Sequence, residues 1–377
     1  MECPRCGNKD ISYFYKGSRG YYCRKCVRFS RTLIEEDLEP IEYEINKNAQ
    51  EYYFKYELTE SQKKASKQCV ERIENTDVLL YCVCGAGKTE ISVESISQYL
   101  KQGKRVCYAI ARKEVVIELT ERFKAIFKDA KVIGVYGGHH NDLYGDLIVC
   151  TTHQLYRYHK TFDLLILDEV DAYPLKGNET LMNISLNSCK GHIIFSTATI
   201  DNNLKNVLKK RKYQTVSLYV RPSGKPLIIP KVLYMHRYIH IIYLAFIMRS
   251  MANQCIIFVS SKSMCKFLYK IYSHLFSCTY VYAQLEDRNK NIIDFKNKKY
   301  QFIFATTVLE RGITIPDVNV VILHFGKVFD EANLVQMLGR VGRNINNPYG
   351  KAYILTDQFD KKIKSIINYL KEANSYL

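Results

Sequence analysis

From Leu58 onward the chain alternates short, nearly unbroken apolar runs with longer stretches that carry apolar residues at helical spacing. The runs are "DVLLYC" (77–82), "RVCYAI" (105–110), "KVIGVY" (131–136), "DLIVC" (146–150), "FDLLIL" (162–167), "HIIFS" (192–196) and "YQTVSL" (213–218). Strand-length apolar runs separated by helices fit a parallel sheet covered on both faces. A segment bearing proline and glycine, "RPSGKPLIIP" (221–230), separates a second series: "QCIIFVS", "TYVYA", "QFIFATT", "NVVILHF" and "KAYILT". The last helix, within "DKKIKSIINYLKEA", sets Ile363, Ile366, Ile367 and Leu370 at helical spacing. The expectation is two α/β domains of about 150 residues each, at 58–219 and 220–377.

Composition agrees with a multi-domain soluble chain: 377 residues, 47% hydrophobic and 25% charged, too long for one ordinary core. The apolar run "IIYLAFIM" (241–248) is less than half of the roughly 20 residues a bilayer span needs, and is expected as a buried helix. The opening "MECPRCGNKD" lacks an apolar signal core. The expected location is therefore the cytosol, with a membrane surface reached only through partners. A net charge of +17 favours a polyanionic partner, either nucleic acid or an acidic membrane face.

Thirteen cysteines in a long chain without a secretion signal argue against a disulfide framework. Four form Cys3-x2-Cys6 and Cys23-x2-Cys26, with sixteen residues between the pairs. Four thiolates at about 2.3 Å suit tetrahedral Zn²⁺, and the spacing is that of a zinc ribbon over 1–30. The intervening β-formers surround a Gly-Ser-Arg-Gly turn and fit a small hairpin. So short a module has almost no core, and the metal would supply most of its folding free energy. Tyr13, Tyr15, Tyr21 and Tyr22, interleaved with Lys16 and Arg19, either stack on unpaired bases and grip phosphates or pack the hairpin; docking to protein is a further use. Residues 31–57, acidic and then tyrosine-rich, read as a connector.

Reactive chemistry is concentrated at strand ends. After the first long run comes "VCGAGKTE" (83–90). In Gly85-Ala86-Gly87-Lys88-Thr89, glycines turn backbone N–H groups toward phosphates at a helix N-terminus. Lys88 reaches the β- and γ-phosphates, and Thr89 offers its hydroxyl to Mg²⁺. Cys82 stands where the strict pattern has glycine, but that place needs only a small side chain. After "FDLLIL" come Asp168, Glu169 and Asp171. Two like charges about 4 Å apart repel by roughly 4 kcal/mol at a surface dielectric, so the cluster needs a positive partner. Asp168 is placed to hold Mg²⁺ and Glu169 to orient or deprotonate water; the metal and Lys88 offset the repulsion. Asp171 either links the site to the neighbouring loop or caps the turn before Pro174. Two such signals, each after an apolar strand, indicate a nucleoside triphosphatase.

With "GAGKTE" and "DEVDA" together, the chain resembles the superfamily 2 helicases and translocases from Leu58 to about Leu355. Within them it is most similar to the ComFA family, ATPases of bacterial DNA uptake, through the four-cysteine ribbon, "VCGAGKTE", "DEVDAYP", "TTVLERGITIP" and "QMLGRVGR". The resemblance implies two tandem RecA-like parallel-sheet domains preceded by a small zinc ribbon. It also implies ATP, Mg²⁺ and Zn²⁺ as cofactors, with hydrolysis in a cleft between the domains. Gly85 to Glu90 would bind nucleotide. Gln62 in "LTESQ" would read adenine, although Thr59-x-x-Gln62 is also a capping box. "STAT" (196–199) resembles the segment coupling hydrolysis to movement. Arg340 and Arg343 resemble arginine fingers, with Gln336 and Gly312 as further contacts across the cleft. Two positions depart from many relatives: Thr314, where an acid is common, and Met337, where arginine is common.

The same resemblance carries nucleic-acid contacts onto Arg112, Gly137, Gly138, Thr151, Thr152, Ser260, Thr306 and Thr307. These hydroxyls, glycines and one guanidinium at strand ends suit phosphates rather than bases; Thr152 and Thr306 equally suit helix caps. Residue chemistry does not separate DNA from RNA. The resemblance implies single-stranded DNA, with a membrane uptake channel and other competence proteins as partners. The alternatives are a general DNA or RNA helicase, and a zinc-ribbon adaptor that uses ATP only as a switch.

Overall fold

In the computed structural model, which describes residues 1–46, 50–310 and 315–377, the apolar runs become strands of two parallel sheets. One compact unit comprises Met1–Cys82 with Gly87–Leu218, the other Val83–Ala86 with Tyr219–Leu377. Both are RecA-like.

The first unit opens with the hairpin β1 (Phe14–Gly17) and β2 (Gly20–Cys23). There follow α1 (Glu60–Ile73), β3 (Asp77–Cys82), α2 (Lys88–Lys101), β4 (Val106–Ile110), α3 (Lys113–Ile126), β5 (Val132–Val135) and β6 (Leu147–Thr151). The unit ends with β7 (Phe162–Asp168), α4 (Glu179–Asn187), β8 (Cys189–Thr197), α5 (Asn202–Lys209) and β9 (Tyr213–Leu218). Its sheet runs β5-β6-β4-β7-β8-β3-β9, and each neighbouring pair is parallel. β4 and β6 are buried along their whole length, as are Leu164 to Leu167 of β7, because helices cover both faces. Parallel strands bring all carboxyl ends to one edge, where open α/β sheets bind ligands.

The four-cysteine module is not free-standing. Its cysteines, with Phe29, belong to the same buried cluster as Leu165, Leu181 and Phe195. Asn183 and Asn187 of α4 donate from Nδ2 to the carbonyls of Cys6 and Arg5, at 3.1 and 3.0 Å. A ribbon with almost no core of its own is thus hydrogen-bonded to α4 and rests Phe29 against His153 and Tyr156. The segment after it carries no helix or strand up to α1 among its described residues, and straps the unit through backbone bonds. Ile41 N donates to Thr161 Oγ1 at 3.2 Å, Asn46 N to Asp146 Oδ1 at 2.8 Å, and the Arg105 guanidinium to Tyr43 O at 3.0 Å.

The second unit contains β10 (Lys231–Tyr234), α6 (Arg237–Arg249), β11 (Cys255–Phe258), α7 (Lys262–Tyr272), β12 (Cys278–Val281), α8 (Arg288–Lys296) and β13 (Phe302–Ala305). It closes with β14 (Asn319–Leu323), α9 (Glu331–Leu338), β15 (Ala352–Thr356) and α10 (Lys361–Asn374). The sheet order is β10-β15-β14-β11-β13-β12, again all parallel. β10 had no apolar run to announce it; it is a partly exposed edge strand of four residues. "IIYLAFIM" is only half a buried helix. Leu244, Ile247 and Met248 of α6 face the core, while Ile239, Ile242 and Phe246 are exposed. On α10, Ile363, Ile366 and Leu370 are buried.

Candidate ATP site and nucleic-acid surface

The sheet order of the first unit sorts the expected residues into two groups. The ends of β3, β8 and β7, neighbours in the sheet, carry the phosphate loop, "STAT" and Asp168 to Asp171. The ends of β4, β6 and β5 carry Arg112, Thr151 with Thr152, and Gly137 with Gly138.

Between β3 and α2 the chain must turn sharply, and Gly85 and Gly87 adopt φ of +84° and +89°, a region open to glycine. A side chain at Gly87 would also collide with the Gln62 amide nitrogen. Gln62, 3% exposed, therefore lies against the loop. It is also the third residue of a capping box: Thr59 N donates to Gln62 Oε1 at 3.0 Å, and Gln62 N to Thr59 Oγ1 at 3.3 Å. Cap and loop neighbour coexist in one side chain. Ala86 is buried, and Lys88 and Thr89 open α2.

Asp168 is the hub. Its Oδ1 accepts from Ser196 Oγ at 2.7 Å and from Glu169 N at 2.9 Å, and Lys88 Nζ stands 3.8 Å away. Its Oδ2 accepts from Tyr108 Oη at 2.8 Å. Lys88 is thus the positive partner that the crowded acids require. Asp171, 1% exposed, accepts from Thr199 Oγ1 at 2.6 Å, so it links the acid turn to "STAT" rather than only capping. Glu169 has φ of +55°, a conformation that costs a non-glycine residue of order 1–3 kcal/mol and that concentrates at functional sites. Glu90 borders the loop: its Oε2 lies 3.3 Å from where a side chain at Gly87 would begin, while Tyr56 Oη donates to its Oε1 at 2.6 Å and Arg122 forms an ion pair with it.

Tyr108 went unnoticed in the sequence. It lies fully buried on β4, and its hydroxyl stands 3.4 Å from Thr89 Oγ1 as well as bonding Asp168. Burial, and then the Asp168 charge, push its phenol well above the ordinary value, so it remains the donor. One tyrosine in an apolar strand reads as core; the only signal was a polar tip aimed at a strand end.

The nucleic-acid candidates divide by exposure. Gly137 and Gly138 are exposed, with open space around them, and Arg112 is half-buried. Thr151 and Thr152 are buried, Thr152 completely, and its hydroxyl has no hydrogen-bond partner. Side-chain contact from Thr152 to a phosphate is therefore not available in this conformation. In the second unit, Ser260 and Thr306 are half-buried and Thr307 exposed, at the ends of the paired strands β11 and β13.

Arg340, 2% exposed, donates from Nε to Glu310 O at 3.2 Å, and Arg343 donates from Nε to Gly339 O at 2.8 Å. Gln336 is buried on α9. A side chain at Gly342, φ +68°, would run into the Pro348 carbonyl. Sequence reasoning also missed Arg221, which sits in the proline-bearing segment. Its buried guanidinium donates to the carbonyls of Gly339, Val341 and Gly342 at 3.1, 2.6 and 3.1 Å, and burial, then the Arg343 charge, bring its pKa down to about 10. Arg221 thereby sets the backbone that presents Arg340 and Arg343. Gly312 and Thr314 lie outside the described residues.

The thiol sulfurs of Cys3, Cys6, Cys23 and Cys26 lie within 4.8 Å of one another, all buried. Sulfurs at about 2.3 Å around a tetrahedral ion stand about 3.8 Å apart; the Cys3–Cys26 and Cys6–Cys23 separations are 3.6 and 3.8 Å. Hydrogen bonds from Cys26 and Cys6 favour the Cys3 thiolate. The donor set is compatible with zinc. No helix among the described residues is long and apolar enough to cross a membrane.

A phosphate loop, an acid hub and a coupled Ser/Thr turn on one parallel sheet, followed by a second RecA-like unit with a Gly-Arg-x-Gly-Arg turn, define an ATP-dependent motor of the helicase class. The family described as "Type III restriction enzyme, res subunit" matches residues 55–202, and "Helicase conserved C-terminal domain" matches 236–345. Competence protein ComFA of Streptococcus pneumoniae is 30% identical over 389 residues, which cover 99% of this chain and 90% of that protein. ComFA of Bacillus subtilis is 30% identical over 398 residues, covering 99% and 85%. The chain belongs to the ComFA family. Solved structures share the fold at low identity. They include S. cerevisiae Dbp5 bound to RNA and ADP BeF3 (TM-score 0.61, 20% identity, 85% of this chain and 88% of that one). The DUF1998 helicase MrfA bound to DNA is another (TM-score 0.60, 15% identity, 84% and 51%).

Proposed function

We propose that this chain is a single-stranded DNA translocase that powers DNA uptake during competence, working in the cytoplasm at the inner face of the membrane through partner proteins. The observation that carries the reading is the division of one sheet edge, with nucleotide groups on β3, β8 and β7 and nucleic-acid candidates on β4, β6 and β5. Lys88 and the loop backbone bind the phosphates, and Gln62 reads the base. Thr89 and Asp168 would hold Mg²⁺, which supplies charge neutralisation at the phosphates. Glu169 orients the attacking water. Arg340 and Arg343 stabilise charge on the γ-phosphate when hydrolysis occurs, worth about 10³–10⁵ in rate in motors that use arginines this way. Ser196 on Asp168 and Thr199 on Asp171 give the change at the acids a direct mechanical path into the turn after β8. The four cysteines hold Zn²⁺.

Displacement of streptavidin from a biotinylated single strand tests the motor. ATP-dependent displacement by the intact chain, lost in Lys88→Ala, is expected. Displacement without ATP, or efficient unwinding of blunt duplex with no action on single strands, would favour a general helicase instead.

A further inference from the structure

The hairpin of the ribbon carries chemistry that neither the metal nor the ATP site uses. β1 and β2 pair with Phe14 opposite Cys23, Tyr15 opposite Tyr22 and Lys16 opposite Tyr21. Side chains alternate across a strand. Cys23 is buried in the sulfur cluster and Phe14 packs against the same core, so Tyr15 and Tyr22 stand on the opposite face. Their rings meet at 5.7 Å between centroids, edge to face. Tyr15 is 54% exposed and Tyr13, just before the strand, 41%.

Cations accompany the rings. Lys25 Nζ lies 5.5 Å from the centre of the Tyr13 ring and the Arg31 guanidinium 4.7 Å from that of Tyr22. Residues 1–31 hold eight lysines and arginines against two acids. The ribbon is fixed through Arg5, Cys6 and Phe29, away from the tyrosine face, and at the margin of that face through Lys25, whose Nζ stands 3.8 Å from the Glu179 carboxylate of α4.

We propose that this face is a stacking platform for the bases of single-stranded DNA, with Lys25 and Arg31 taking the phosphates. The inference rests on the motor reading above and deepens it by naming a second place where that motor holds its track. Exposed rings stack on any base, which suits a protein that must pass every sequence. A cation resting over a ring in the free protein is held weakly at an exposed site and transfers to an arriving phosphate, so ring and charge become available together. Through Asn183 and Asn187 the platform is fixed to α4, the first helix after the Asp168–Asp171 turn. A strand on the platform is therefore carried by the unit that bears Lys88 and Asp168.

The test uses the full chain with zinc and a single-stranded oligonucleotide of mixed sequence carrying 2-aminopurine, whose fluorescence is quenched by stacking. Tyr13→Ala/Tyr15→Ala is compared with Tyr13→Phe/Tyr15→Phe, with zinc content and Tm confirming the fold. The expected result is affinity about ten- to a hundredfold weaker and reduced quenching in the alanine pair, with both retained in the phenylalanine pair, because the ring and not the hydroxyl is needed. Lys25→Gln should flatten the salt dependence of affinity. If the unaltered chain binds the oligonucleotide and its ATPase is stimulated, but the alanine pair keeps full affinity and quenching, the platform is wrong while the motor reading stands. Loss of binding to anionic phospholipid vesicles with DNA affinity unchanged would also overturn it, in favour of a membrane-facing ribbon. If the unaltered chain itself neither binds single strands nor responds to them, the motor reading fails first.

Discussion

At the scale of single residues, Tyr108 connects two groups that must act in register. Its hydroxyl bonds Asp168 and stands beside Thr89, so it fixes the relative placement of the two groups that would hold Mg²⁺. Tyr108→Phe removes a hydrogen bond to a charged acceptor, worth about 1.5–3 kcal/mol at most. The Mg²⁺ concentration for half-maximal ATP turnover should rise roughly three- to tenfold with Tm little changed; an unchanged Mg²⁺ dependence would leave Tyr108 as core packing alone. Lys88→Ala should abolish turnover while sparing zinc content and DNA affinity, checked by ATPase, metal analysis and anisotropy. Residual turnover near the normal rate would mean that ATP serves as a switch. Lys88 and Asp168 were legible because phosphate chemistry fixes residue type and spacing within a few positions. Tyr108 was not, because its partners come from the end of β7 and the first turn of α2, and only the sheet order, with β4 beside β7, brings them together.

At the scale of elements, buried parallel strands announced themselves because both faces must be apolar, whereas β10 did not because an edge strand needs no apolar run. Eight consecutive apolar residues in α6 suggested full burial, but a helix over a sheet buries one face, and Ile242 and Phe246 remain in solvent. Residues 31–46 and 50–57 lack periodicity; Ile41, Asn46 and Tyr53 are tied to the rest of the first unit through their backbone N–H groups rather than through a repeating apolar face. The ribbon hairpin was legible from its cysteine spacing; its packing on α4 was not, since Asn183 and Asn187 carry no motif. That packing makes metal loss a problem for the whole unit. Cys3→Ser with Cys6→Ser should release zinc and lower the Tm of the first unit by about 5–10 °C, read by calorimetry with metal analysis. An unaltered transition would show that the ribbon contributes nothing to that unit's stability.

At the scale of the whole molecule, two RecA-like units and a net charge of +17 describe a motor on a polyanionic track. Affinity for single strands should fall at least about tenfold between roughly 50 and 200 mM salt if several phosphates are neutralised; a flat titration would remove the phosphate-tracking reading. Arg340→Lys or Arg343→Lys should leave nucleotide binding within a few-fold but cut turnover about a hundredfold or more, since a lysine lacks the fixed fork. A loss of ATP affinity without loss of maximal rate would give these arginines a binding role instead. Arg221→Ala should produce a milder form of the same defect by releasing the Gly339–Gly342 backbone. The most direct measurement is the steady-state ATPase rate of the purified chain with no polymer, single-stranded DNA, duplex DNA and single-stranded RNA in parallel. Single-stranded DNA should raise the rate the most, and the rise should vanish with Lys88→Ala. A rate indifferent to single-stranded DNA, or one raised by RNA alone, would contradict the account.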